Sequence, residues 1–200
     1  MLNNTSSILL VGVGGQGTIL ASKLLTTGLM AAGFDVKMSE IHGMSQRGGS
    51  VSSQVRYSRG KVESPVIEKG SADLLVSFEK MEALRWLEYL KVGGCAVVND
   101  YEIPPMPVLS GKTEYPAGIG EELCARADTI LVDAAGEAEK LGNAKVMNVL
   151  LLGATVRLMG LEEIAWETII RGNVKPAFAG LNVQAFEAGK ALVQKTPATL

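Results

Sequence analysis

Three glycines stand in G-x-G-x-x-G order at Gly12, Gly14 and Gly17, with Gly15 and Gln16 between them, inside the stretch ILLVGVGGQGTILASKLL. The chemistry on offer is anion binding by main chain. Glycine permits positive φ, missing side chains admit a ligand to the backbone, and the first N–H groups of a following helix carry the positive end of its dipole. A phosphate or carboxylate would rest there. The glycines have a plainer use too, because they let a strand and a helix pack closely, and the six-residue pattern alone does not choose between the two. A second stretch, HGMSQRGGS, runs from His42 to Ser50. In it Arg47 has the fork geometry to clamp an anion held on the first loop, Gly48 and Gly49 permit close approach, and Ser45 and Gln46 add neutral donors. Read plainly, it is a surface turn with one solvated arginine.

Other reactive side chains are few. Glu40 lies about twenty positions beyond the glycines, where a dinucleotide site wants an acid for the ribose hydroxyls. A free-standing NAD(P)-dependent dehydrogenase of the Rossmann type, or a plain nucleotide-binding regulatory module, is therefore a second reading. His42 is the one histidine. Without a G-x-S-x-G elbow to supply a serine it makes no hydrolase triad, and it reads as structural. The two cysteines, Cys95 and Cys124, are far apart and read as small apolar residues. They exclude an iron–sulfur cluster or a four-ligand zinc site of the usual kind held wholly by this chain. No catalytic residue and no metal ligand is assigned.

The elements that must position these residues come from the pattern of apolar residues. Two hundred residues, 47% of them hydrophobic, suffice for one sizeable core, so a single α/β domain is expected over residues 1–200. Nineteen basic residues against twenty-one acidic ones leave a formal charge of −2, which makes no nucleic-acid footprint and no polybasic membrane surface. The opening MLNNTSS lacks the basic start and apolar core of a signal peptide, so a cytoplasmic chain is expected. The longest apolar stretch, from Val146, is too short for a bilayer.

SILLVG reads as strand one and residues 16–32 as a helix, with Ile19, Leu20, Leu24 and Met30 at helical spacing and Gly33 as its cap. FDVKMSE and SVSSQVRYS alternate as strands. The loop of about nine residues between them is too short for a parallel crossover, so the connection after strand two departs from a regular Rossmann unit. If strands one and two are neighbours, the two glycine loops face each other. DLLVSF and GCAVVND read as buried parallel strands joined by a helix over residues 79–94. The proline-rich residues 101–118 read as a surface loop with one short strand at 112–115. A helix at 119–127 and the strand TILVDA complete a Rossmann-like, mostly parallel core over about residues 1–142. From about 143 to 200 only helices are expected, over 145–159, where Asn143 is an N-cap, 161–170 and 178–193. In that tail Trp166, Ile169, Ile170, Phe178 and Phe186 are either core or a contact for another chain.

Taken together, VGVGGQGTILASKLL and SEIHGMSQRGGSVSSQVRYS resemble the gamma-type domain of 2-oxoacid:ferredoxin oxidoreductases, within which the nearest likeness is to the small subunits of the indolepyruvate branch. The likeness continues through SADLLVSFEKMEALR, GNAKVMNVLLLGA and LNVQAFEAGKAL, nearly the whole chain. It implies an accessory subunit of an enzyme that oxidatively decarboxylates a 2-oxoacid, indolepyruvate or another aryl pyruvate, to an acyl-coenzyme A. It further implies that thiamine diphosphate, magnesium and iron–sulfur clusters sit on a large partner subunit, which passes electrons to ferredoxin. Two copies of each chain would be the usual assembly. Coenzyme A is then the ligand implied for residues 12, 14–17 and 45–49. The rival implication is that both loops form the subunit interface.

Overall fold

The computed structural model describes residues 5–42 and 48–193. β1 (Ser6–Val13) is apolar and almost wholly buried, and it runs into α1 (Thr18–Ala31). β2 (Asp35–His42) and β3 (Ser50–Ser58) follow as an antiparallel pair. β4 (Ala72–Ser77), α2 (Lys80–Trp86), a 3-10 turn at Leu87–Tyr89 and β5 (Leu90–Asn99) come next. The remainder comprises α3 (Met106–Leu109), α4 (Ile119–Arg126), β6 (Asp128–Val132), α5 (Ala134–Lys140), a 3-10 turn at Ala144–Val146, α6 (Met147–Met159), α7 (Trp166–Asn173) and α8 (Pro176–Ala191).

The six strands form one mostly parallel sheet in the order β2-β3-β1-β4-β5-β6. β1, β4, β5 and β6 are mutually parallel, whereas β3 lies antiparallel between β1 and β2. The irregular connection expected after strand two is thus real. The supposed adjacency of strands one and two is not, because the hairpin partner β3 takes the place beside β1. The loops still meet, for a different reason. An antiparallel β3 begins where β1 ends, with Val13 opposite Ser50, and the ladder carries on as Gly14 N–H donates to Gly49 O at 2.8 Å.

One face of the sheet packs against α1, α6, α7 and α8 through a large apolar cluster that includes Leu24, Leu25, Leu29, Leu150, Trp166, Ile170 and Phe186. The other carries a smaller cluster, with Leu9, Val11, Leu75, Val98 and Leu123 around α2 and α4. α1 buries Ala21, Leu24, Leu25 and Leu29, whereas Ile19 and Met30, expected on its inner face, are more than half exposed. Of the aromatic residues in the tail, Trp166 and Phe186 are core and Phe178 is exposed.

Four other expectations are corrected. The helix over 79–94 stops at Trp86, and Leu90–Gly94 opens β5, where Gly93 has φ 79°. No strand forms at residues 112–115. Pro104, Pro105 and Pro107 remove ladder donors just upstream, and the segment makes only the short turn α3. Directly after β6, α5 was not anticipated; the Asp133 side chain caps it by accepting from Gly136 N–H. The helix expected at 161–170 starts only at Trp166, because Gly160 ends α6 in the left-handed region and Trp166 Nε1 donates back to Leu161 O. Cys95 is half-buried on β5 and Cys124 is exposed on α4, so only the first sits near the core. No helix among the described residues is long and apolar enough to cross a membrane.

Candidate anion-binding cleft

The glycine motif divides its labour. Gly12 leaves room for Gln16, since a Cβ there would come within 2.9 Å of both Gln16 Oε1 and Phe78 Cβ. Into that room the Gln16 carboxamide folds back, accepting from Val13 N–H at 2.8 Å and donating to Phe78 O at 2.9 Å. Gln16, expected among the ligand contacts, is committed to joining the ends of β1 and β4. That is the point where the chain's helices change from one side of the sheet to the other, the crevice a nucleotide usually enters. Here Gln16 lines one side of it.

The bracket runs further. Phe78 O also accepts from Asn99 Nδ2 at 3.2 Å, and Asn99 Oδ1, fully buried at the end of β5, accepts from Ala134 N–H and Ala135 N–H at the start of α5. Two carboxamides therefore tie together the carboxyl ends of β1, β4 and β5 and the start of α5.

Gly17 caps α1 with φ 83°, and a Cβ on it would overlap the Asn148 side chain. Gly15, at φ 105°, has nothing within 4 Å of where a Cβ would stand. Gly14 spends its N–H on Gly49 O, and Gln16 N–H donates to Val13 O. The N–H groups of Gly15, Gly17 and Thr18 find no acceptor among the described residues. Gly14, Gly15, Gln16 and Gly17 all border the open side of the loop, with the unsatisfied N–H groups concentrated at Gly15 and the start of α1.

That side faces a cavity of about 630 Å³ outside the carboxyl ends of the parallel strands. Its walls are Gly15 and Gly17, Tyr101 after β5, Glu139 on α5, and Lys145 and Asn148 at the start of α6. Tyr101 is positioned by Lys80, whose N–H donates to Tyr101 O at 3.0 Å and whose ammonium bridges Asp100 and Glu102 at 2.9 and 2.8 Å. Hydrogen bonds donated by its ammonium to Glu102 and then Asp100 hold the Lys80 pKa above its usual value. Asn143, expected as an N-cap, accepts from Lys145 N–H at 3.0 Å. Lys145 is exposed and has no acidic partner among the described residues.

Asn148 is 5% exposed; its Nδ2 donates to Gly17 O at 3.3 Å, and its Oδ1 is buried without a partner. An orphaned buried acceptor costs about 1–3 kcal/mol, which a donor brought by a ligand would offset. Lys145 and Asn148 were both missed from sequence. The only signal was GNAKVMN at a helix start, which shows a cap but not which cavity the cap faces.

Gly48 and Gly49 join the loop by backbone, Gly48 N–H donating to Gly14 O at 3.4 Å. Ser45, Gln46 and Arg47 lie outside the described residues. Glu40 accepts from Ser22 Oγ on α1 at 3.2 Å and stands two strands from β1. It is badly placed for a ribose bound at the glycine loop.

The chain matches the pyruvate ferredoxin/flavodoxin oxidoreductase family over residues 7–192. It is 39% identical over 189 residues to indolepyruvate oxidoreductase subunit IorB of Thermococcus kodakarensis, covering 92% of this chain and 93% of that one. Among solved structures it is similar to the gamma subunit of a keto/oxoacid ferredoxin oxidoreductase from Geobacter sulfurreducens, with TM-score 0.69 and 26% identity, covering 94% and 97% of the two chains. A 2-oxoglutarate:ferredoxin oxidoreductase from Magnetococcus marinus, with 2-oxoglutarate, coenzyme A and succinyl-CoA bound, shares the fold at TM-score 0.76 and 20% identity. That likeness covers 98% of this chain and 32% of that one.

Proposed function

The chain belongs to the pyruvate ferredoxin/flavodoxin oxidoreductase family, and on that premise we propose that it is the small accessory subunit of a 2-oxoacid:ferredoxin oxidoreductase of the indolepyruvate type. Its relatives are subunits of such enzymes, and on their evidence and that of the misplaced Glu40 a free-standing Rossmann dehydrogenase is set aside. Thiamine diphosphate, magnesium and iron–sulfur clusters belong to a larger partner, which delivers electrons to ferredoxin. When bound there, the thiamine cofactor supplies the carbanion chemistry of decarboxylation and the clusters take the electrons.

This chain's part is to hold coenzyme A. The observation that carries the reading is the cleft itself, where Gly15 and Gly17, whose N–H groups have no acceptor among the described residues, line one open volume with the exposed Lys145 at the amino end of α1. A pyrophosphate or 3′-phosphate suits that donor set. The 2-oxoglutarate enzyme of the same fold carries bound coenzyme A, which supports the assignment. Glu139 on the opposite wall disfavours a second anion beside the first and so orients the ligand.

The test is a reconstituted complex with its large subunit, assayed for indolepyruvate-dependent ferredoxin reduction as coenzyme A is varied. Lys145→Ala raises the KM for coenzyme A about ten- to a hundredfold while the KM for the 2-oxoacid stays put. Arg47→Ala is the companion variant for the second loop. A raised coenzyme A KM places Arg47 with the cradle, and a weakened subunit association at unchanged KM assigns it to the interface. Unchanged saturation by coenzyme A in both variants rejects the cradle.

A further inference from the structure

Beside the cleft lies a second cavity of about 420 Å³, between the start of α6 and the segment joining α7 to α8. The two cavities share Leu20, Lys145 and Asn148, so they form one groove with two compartments. The second has an unusual chemistry. Four carboxamides line it. Asn143 Oδ1 accepts from Lys145 N–H, and the other three have each spent the amino group on a backbone carbonyl: Asn148 Nδ2 on Gly17 O, Asn173 Nδ2 on Ile169 O at 2.9 Å, and Asn182 Nδ2 on Phe178 O at 2.8 Å. The orientation of these three is thereby fixed, and what each has left is an acceptor oxygen. Asn148 Oδ1 is buried and unpartnered.

The rim has the opposite character. Lys145 and Lys175 are exposed, neither has an acidic partner among the described residues, and no carboxylate lines the cavity. Most other cations among the described residues are paired with acids, so two unpaired lysines on one rim mark a place that attracts negative charge. Phe178 presents a 47% exposed ring on the same rim. A ligand that satisfies all three features donates hydrogen bonds from its interior end, stacks a flat ring and carries a dianion outside.

From this we propose that the second cavity is an aminopurine-nucleotide subsite, with the exocyclic amino group toward the asparagine oxygens, the ring on Phe178 and a phosphate between Lys145 and Lys175. Two molecules bring that chemistry, the nucleotide end of coenzyme A and a free adenine nucleotide. Only the first rests on the reading of the neighbouring cleft.

The experiment measures equilibrium binding of ADP, AMP, purine riboside 5′-monophosphate and inorganic phosphate to the full chain, and coenzyme A saturation in the reconstituted complex. Lys175→Ala and Phe178→Ala are used because both side chains are exposed and neither lines the first cavity. The proposal expects ADP and AMP to bind, each variant to weaken them about ten- to a hundredfold, and loss of the amino group in purine riboside monophosphate to weaken binding about tenfold. If Lys175→Ala raises the coenzyme A KM in parallel, the source is coenzyme A; if it leaves that KM alone, the source is free nucleotide, and the subsite stands either way.

Three results overturn it. ADP does not bind, or binds equally in both variants, or is displaced as well by inorganic phosphate as by AMP. Should one of these occur while Lys145→Ala still raises the coenzyme A KM, the accessory-subunit reading survives without the subsite. Flat coenzyme A kinetics in Lys145→Ala, with ADP binding to the unsubstituted chain that is weakened in Lys145→Ala and Lys175→Ala alike, removes the cradle and leaves the subsite.

Discussion

The two faces of the sheet are held by different physics. On the face under α6 and α8, apolar side chains make up most of the packing, with isolated buried polar groups such as Ser22, Asn148 and Thr155 among them, and the helices touch backbone to backbone. A Cβ on Gly189 would overlap Leu150 O, and one on Gly153 would overlap Phe186 O. On the face under α2 and α4, the smaller apolar cluster is supplemented by carboxylates. Glu79, 1% exposed, caps α2 by accepting from Glu82 N–H at 2.8 Å and also accepts from Ile103 N–H at 3.3 Å and from the Tyr115 hydroxyl. Glu82, 5% exposed, accepts from Ser50 Oγ and from Arg85 Nε. The first face is intolerant of volume, while the second can absorb volume at its edges and carries Tyr115 and Lys80, whose raised values set most of the alkaline response, against Tyr57 on the first. The cleft draws a wall from each: α1 and α6 from the first, and the chain at Tyr101 and Ile103, tied by Lys80 and Glu79, from the second.

The sharpest way to break this contrast is Gly189→Ala. With a backbone carbonyl as the obstacle, relief requires α6 and α8 to separate, and a loss of about 3 kcal/mol or more is expected in chemical denaturation. A loss under about 1 kcal/mol would show that the helices are not in backbone contact.

Glu79→Ala on the other face removes a cap and two further hydrogen bonds, and is expected to cost about 2–3 kcal/mol in the same measurement. It should also loosen the 101–103 segment, seen as faster amide exchange at Ile103.

A smaller effect separates the faces by pH. Burial and the hydrogen bond to Glu79 push the Tyr115 pKa well above its ordinary value of 10.0, and Lys80 is raised as well. Both groups hold their protons more tightly folded than unfolded. Their stabilisation is full below about pH 10 and is lost as pH rises through the raised values. Tyr115→Phe, costing about 1 kcal/mol at neutral pH, flattens part of the alkaline decline in thermal stability. Only part goes, because Tyr57, buried on the first face, is raised by burial in the same direction. An unchanged alkaline limb would place the titrating groups elsewhere. Least of all, Lys145→Ala changes stability by under about 0.5 kcal/mol, since its ammonium is exposed and unpaired; a larger loss would make it structural.

Much of the fold was legible because period and breakers are local. The run SILLVG, the alternation of SVSSQVRYS and the short link before it were enough to read an α/β sheet with an irregular third strand. What misled were segments whose fate depends on neighbours. LKVGG follows a helical pattern without a break, yet it opens β5, anchored to β4 at Leu90 and again from Cys95, and Ile19 and Met30 share a helical stripe yet both are more than half exposed.

The sequence by itself determined that a glycine-rich turn joins the first strand to the first helix, that two cysteines cannot carry electrons through a four-thiolate cluster, and that the chain resembles an oxidoreductase subunit. Those follow from residue type, spacing and number, which do not change on folding. Only the tertiary structure decided which glycine faces a ligand and which makes room for the protein itself. Gly12 and Gly17 are filled by Gln16, Phe78 and Asn148, and Gly15 is open, because side chains as far as 131 positions away return to the loop. Lys145 became part of the cleft for the same reason: a donor's neighbours across the sheet are set by packing, and sequence distance carries no record of them.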